Sequence, residues 1–245
     1  MAAIELFRLS IRRFRRKLLE AIFSSFLYKY TLRGCVPKSL RYTPAPNWVD
    51  IEHLGHGILV GQFTFEKYRQ IVSMNPWSIE ASNDHELAAL HSFSWLRNFA
   101  AAVDQDAARN HLKKIVCDWI SQNQQWSPIV WRADVLAERV SIWLEHYEQF
   151  FAKGDKSFRG LVMRHLSQQL IHLARVLEKE PTNIAKFHAL KGLIYGAICL
   201  PAGDKRLGVL LKKLKQEINF QVLEDGGHIA RSPTMHHSAL QILIE

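Results

Sequence analysis

Cysteine is sparse in this chain. Its three residues, Cys35, Cys117 and Cys199, form no C-x-x-C pair, and the last two fall in apolar helical runs where a free thiol behaves as a small hydrophobe. A disulfide framework and a cysteine zinc site are thereby disfavoured, and HLGH, residues 53–56, is too weak a histidine pair to claim any other metal. No metal and no cofactor is expected. Long apolar runs are missing as well. Arg12 to Lys17 and then Lys29 interrupt the hydrophobic stretches near the N-terminus, so no window reaches the roughly 18 to 20 apolar residues of a membrane span. The apolar run from Ala21 to Tyr28 is short for a cleavable signal peptide and has no small-x-small site behind it. Nucleic-acid motifs are also absent, whether zinc finger, RNA-recognition or P-loop.

The net charge of +9 suggests a nucleic-acid protein until its location is considered. Residues 1–41 carry ten Lys/Arg against Glu5 and Glu20, a net of +8, and the remaining 204 residues carry only +1. The body has no general basic footprint, so no nucleic-acid partner is expected. In the same N-terminal segment Ile4, Phe7, Ile11, Phe14, Leu18 and Ile22 recur at spacings of three and four, which places them on one helical face. Residues 1–46 therefore read as a basic amphipathic helix and a linker containing Pro37, Pro44 and Pro46. Two readings stand for its residues 4–33. The helix docks on the body with its arginines solvated, or it lies on an anionic membrane surface.

Residues 47–245 read as an all-α domain. An extended segment near 58–65 comes first, where ILVGQFTF ends in a short alternation. After residue 84 the periodicity predicts helices over about 84–103, 106–122, 132–151, 157–178, 184–199 and 204–222, broken at Lys153-Gly154-Asp155, Pro181 and Pro201-Ala202-Gly203. Helices of this length with short loops and no strand alternation predict antiparallel hairpins stacked into an incomplete (α/α) toroid. HHSALQILIE reads as a helix still in progress, as in a fragment of a longer protein.

Four blocks carry a resemblance: LHSFSWLRNFAA (90–101), WSPIVWRADVLAERVSIWLEHY (126–147), NIAKFHALKGLIYGAICLP (183–201) and LEDGGHIARSP (223–233). In this order they resemble the N-terminal helical domain of the heparinase II/III family, over about residues 58–243. The resemblance implies a toroid followed by a C-terminal β-sandwich missing from this chain, with an acidic, uronate-containing polysaccharide held between them in the cell envelope or periplasm. The implied reaction is β-elimination. A base removes the proton α to the uronate carboxylate, an acid protonates the leaving oxygen, and a polar group neutralises the carboxylate. The family's Asn-His pair falls near Asn183, where Ile184 and Ala185 follow in place of the histidine. Its Tyr before a His falls on Met235, ahead of His236, and a thioether cannot transfer a proton. That departure favours an alternative in which a glycan-binding or scaffolding relative has kept the fold and lost the chemistry. A third alternative is a membrane-associated helical interaction protein.

The candidate catalytic residues are therefore Asn183, His228 and His236, and the candidate substrate-binding residues are Arg231, His188, Lys191 and His237. Each has a structural alternative. Asn183 suits the N-cap of the next helix. Gly226-Gly227 suits a tight turn, with Asp225 capping locally and Ser232-Pro233 starting a helix. His188 and Lys191 share a helical face, on an inner rim or simply on the wet side. Trp95, Trp119, Trp126, Trp131 and Trp143 suit a core better than sugar-stacking platforms.

Overall fold

The structure is a computed structural model. It describes residues 10–11, 14, 17–46, 57–64, 70–72, 75–78, 83–100, 104–180, 183–201 and 203–244. Ile4, Phe7, His53 and His56 lie outside them. Among the described residues eight helices form the body: α1 (Asp84–Ser92), α2 (Leu96–Ala100), α3 (Gln105–Gln122), α4 (Ala133–Glu145), α5 (Lys156–Val176), α6 (Ile184–Cys199), α7 (Asp204–Gln221) and α8 (Pro233–Ile244). Their starts follow from local chemistry. The side chains of Asn83, Asp104, Asp155 and Asn183 accept from backbone N–H groups in the first turns of α1, α3, α5 and α6, satisfying donors a helix start leaves open.

Two of the expected helices are divided. The segment expected to run through 84–103 breaks at Phe93, which adopts φ 61° and is fully buried. The break is held by side chains. Ser92 and Ser94 hydroxyls both donate to the Ala89 carbonyl, and the Trp95 indole donates to the Leu90 carbonyl. The segment expected through 132–151 ends as an α-helix at Glu145, and a π-helical turn, Tyr147–Phe151, follows. The wide turn buries Tyr147, Phe150 and Phe151 together. In the extended segment, β1 (Gln62–Thr64) pairs antiparallel with β2 (Gln70–Val72), a partner the alternation did not reveal, with Phe63 opposite Ile71.

α4 lies at the centre, packed against α1, α5 and α6, while α7 and α8 pack on α6. The α4–α6 approach is close because Gly192 faces Ala137. A Cβ added at Gly192 would lie 2.9 Å from the Ala137 Cα, so any larger residue forces the helices apart. Trp95, Trp119, Trp131 and Trp143 are buried in the core, and Trp126 is half-buried against it. The indoles of Trp119 and Trp131 donate to His91 Nδ1 and the Gln125 carbonyl, as buried indoles require. A smaller core of Phe187, Ala239 and Ile242 seats α8 on α6.

The N-terminal segment divides the two readings between its parts. Phe23, Tyr28 and Leu32 enter the main core. Tyr28 hydrogen-bonds His172 Nδ1 at 2.7 Å, and Arg175 donates to the Thr31 hydroxyl at 2.7 Å. Those anchors are outside the apolar stripe. Its described members, Ile11, Phe14, Leu18 and Ile22, are all exposed, and Phe26 and Leu27 continue the exposed apolar surface.

Candidate functional site

Charged residues converge where α2, α4, α6 and α8 meet. Arg97 comes from α2, Glu138 and Glu145 lie two turns apart on one face of α4, and His188 and Lys191 share a face of α6. The Gly192–Ala137 contact brings the adjacent Lys191 and Glu138 together. Arg97 Nη1 stands 2.8 Å from Glu138 Oε1, Lys191 Nζ 3.3 Å from Glu138 Oε2, and Arg97 Nε 3.8 Å from Glu145 Oε2. His188 Nδ1 lies 3.9 Å from Glu138 Oε2, beyond a hydrogen bond. Arg97, Glu138, His188 and Lys191 border a cavity of about 240 Å³ that Ser238, Gln241 and Ile242 of α8 also line.

The protonation states follow from burial and charge. Burial pushes the Glu138 carboxyl up, but Lys191, Arg97 and His188 outweigh it and hold the group at about 2. Glu138 is therefore ionised. Burial raises Glu145, against the pull of Arg97 and Lys191. Burial lowers His188, with Glu138 opposing, so its imidazole is neutral at physiological pH and able to accept a proton. Two cations thus face one firmly ionised carboxylate and a second whose charge burial opposes. The cluster sets two ion-paired cations beside a neutral base.

Of the residues singled out in the sequence, His188 and Lys191 border this cavity, and the other five do not. Asn183 caps α6, its side chain accepting from Ala185 N at 3.0 Å. His228 is buried in a turn where Gly226 has φ 80°, and both ring nitrogens are engaged. Nε2 pairs with Gln221 Oε1 at 3.0 Å, and Nδ1 accepts from Ala230 N at 3.1 Å. Gln221 also donates to the Asn183 carbonyl at 3.0 Å, so His228 does approach Asn183, through the end of α7 and as a brace. Arg231, at φ 50°, turns an exposed side chain onto Asp225. His236 is half-buried, and His237 and Met235 are exposed on the first turn of α8. Arg97 and Glu138 were missed. Their only sequence signal is a charge set among apolar neighbours, Leu96 and Phe99 for one and Leu136 and Val140 for the other.

A family profile described as the heparinase II/III N-terminus matches residues 51–245. The chain belongs to the heparinase II/III family. Among solved structures, its fold matches a heparan sulfate lyase, HepC from Pedobacter heparinus, with a TM-score of 0.62 at 18% identity, over 89% of this chain and 37% of that one. A heparinase III with methylated lysines matches with a TM-score of 0.63 at 14% identity, over 82% and 37% of the two chains. At such identities the likeness concerns the fold, an incomplete α/α toroid. A relative from Caulobacter vibrioides, FtsZ-localized protein C, is 29% identical over 206 residues, 80% of this chain and 34% of that protein. The chain thus spans about a third of the length of these proteins. Three of its four sequence blocks contribute Arg97, Glu138, Glu145, His188 and Lys191 to the charged cluster, and the fourth, residues 223–233, contributes none.

Proposed function

We propose that this chain is the glycan-binding helical domain of a polysaccharide lyase-like protein acting on an acidic, uronate-containing polymer. The supporting observation is the cavity in which Arg97 and Lys191 flank the neutral base His188. A uronate carboxylate that shares those two cations with Glu138 is partly neutralised, which lowers the cost of the enolate-like charge in β-elimination, and in this reading His188 takes the proton α to it. The acid is the weak member, because Met235 stands where the family's tyrosine is expected. Binding is therefore this chain's contribution, with turnover left to a complete protein carrying the C-terminal β-sandwich. Titration with heparan sulfate, hyaluronan and alginate, followed by product absorbance, is expected to show saturable binding without turnover. Lys191→Met removes one of two cations and is expected to weaken binding about tenfold, as loss of a charged hydrogen-bonding contact does. Ser238→Trp fills the cavity from α8 without touching the ion pairs and gives the same loss if the cavity is the site. Full binding by a folded Ser238→Trp variant sinks the proposal.

A second reading rests on the exposed apolar stripe of Ile11, Phe14, Leu18 and Ile22, together with the likeness to a protein named for localising with FtsZ. In it the chain is a membrane-surface interaction protein whose basic N-terminal segment is the attachment. Removing residues 2–22, which spares the core anchors Phe23, Tyr28 and Leu32, is then expected to release the protein from anionic lipid vesicles. Equal vesicle binding by the truncated and full chains counts against it.

A further inference from the structure

A second cavity, of about 500 Å³, lies between the N-terminal segment and helices α3 and α5. Lys29, Tyr30 and Arg33 form one wall, and Gln124, Arg164 and Gln168 contribute to the other. Among the described residues no carboxylate lines it. Lys29 and Arg33 flank the Tyr30 ring, at 5.5 and 4.5 Å from its centroid, and among the described residues neither they nor Arg164 has an acidic partner. Three cations drawn from two separate parts of the fold thus line one space, together with the apolar Leu32, Val36, Ile120 and Leu161, without the counter-charges that balance Arg97 and Lys191.

Exposed apolar residues precede this cavity in the chain. Phe26 and Leu27, 58% and 60% exposed, come just before Lys29, Phe26 lines a smaller cleft together with Lys29, and Leu18 and Ile22 are exposed as well. Among the described residues no helix is long and apolar enough to cross a membrane, so such a surface meets a bilayer by lying in its interface. A soluble anion has no use for these side chains. We propose that the cavity binds the phosphate headgroup of an anionic lipid, with Arg33 and Arg164 gripping the phosphate oxygens and Lys29 adding charge, while Phe26 and Leu27 enter the acyl boundary. Arginine suits this role because its planar fork meets phosphate oxygens in pairs. The inference rests on the membrane reading above and adds that the body, not only the N-terminal segment, recognises the lipid.

Arg164 separates the two ideas because it belongs to α5. Co-sedimentation of the full chain is measured with vesicles of phosphatidylcholine alone and of phosphatidylcholine mixed with phosphatidylglycerol. Binding to the mixed vesicles only is expected, and Arg164→Gln should weaken it at least about fivefold, the effect of one cation held at a membrane surface. Lys156→Gln, also exposed on α5 but about 12 Å away along the helix, should change it less than about twofold. If the parent ignores the mixed vesicles, the membrane reading fails and this inference with it. If the parent binds and Arg164→Gln binds equally, attachment stands and the headgroup site is overturned. Thermal stabilisation of the parent by inorganic phosphate, lost in Arg164→Gln and unaccompanied by vesicle binding, overturns the lipid assignment in favour of a free-anion site.

Discussion

On acidification the protein is expected to lose its helical circular dichroism cooperatively between about pH 5.5 and pH 4, above the range in which carboxylate titration alone unfolds most domains. His91, His146 and His172 are buried, and burial pushes each down to about 4. Hydrogen bonding gives two of these shifts an independent basis. His91 Nδ1 accepts from the Trp119 indole at 3.0 Å, and an indole N–H cannot turn acceptor, so a proton on Nδ1 breaks the bond. His146 Nε2 is buried without a hydrogen-bond partner among the described residues, which leaves its added charge uncompensated. Below about pH 6.5 the unfolded chain takes up protons that these folded histidines refuse, so their stabilising contribution is lost as pH falls towards 4. Each costs about 1.4 kcal/mol per pH unit, and three together about 4. The lower half of a typical total stability of about 5–15 kcal/mol is exhausted within that window. Glu138, held at about 2, adds to the loss below about pH 4.5. Glu145 and Glu180, raised by burial, oppose it without matching three histidines. His91→Gln keeps an acceptor for Trp119 and cannot be protonated, so it should move the acid midpoint downward. A helical signal unchanged down to pH 4 would refute this account.

The fold was largely legible because its signals are local. Asn83, Asp104, Asp155 and Asn183 announce helix starts, and Pro201 and Gly154 end runs whose apolar period is unambiguous. The break at Phe93 was hidden, since it depends on Ser92, Ser94 and Trp95 supplying hydrogen bonds where the sequence offers neither Gly nor Pro. At the site, His188 and Lys191 were found because they share a helical face. Arg97 and Glu138 were not, because a charge on a helix ordinarily reads as solvent-facing, and only the α4–α6 approach at Gly192 turns Glu138 onto Lys191. His228 misled in the opposite sense. A histidine after two glycines suggests exposure, yet Gln221, from a different element, draws it inward. The N-terminal stripe was visible as a helical period. Docking on the body was one of its two readings, but the anchors Phe23, Tyr28 and Leu32 were not identified, because those residues interrupt that period.

Replacing Arg139 with alanine is expected to destabilise the protein by about 3–5 kcal/mol, the cost of removing one member of a buried polar network and leaving a cavity. Arg139 is fully buried in the middle of α4, and its guanidinium joins three parts of the fold. Nε donates to Gln169 Oε1 on α5 at 2.7 Å, Nη1 to the His91 carbonyl at the end of α1 at 2.7 Å, and Nη2 to the Val130 carbonyl ahead of α4 at 3.0 Å. The guanidinium also stands 4.5 Å from the centre of the Trp119 ring, a cation–π contact strengthened by desolvation. Burial lowers its pKa to about 9, which still leaves it charged at neutral pH. The His91 carbonyl is a terminal acceptor of α1, where a cation also meets the negative end of the helix dipole. Alanine leaves both carbonyls and the Gln169 side chain without these donors, at about 1–3 kcal/mol for each group that finds no replacement. Methionine tests that explanation because it refills the volume without restoring a donor. Arg139→Met should therefore recover the packing part and remain destabilised by about 1–3 kcal/mol. Lysine keeps the charge and loses the fork, so it cannot serve three acceptors set around one plane, and Arg139→Lys should fall between the two. Urea unfolding midpoints at neutral pH, compared at constant slope, rank the three variants. A loss below about 1 kcal/mol in Arg139→Ala, within the range of ordinary surface substitutions, would show that water or rearranged side chains satisfy the carbonyls and that Arg139 does not hold α1 and α5 against α4.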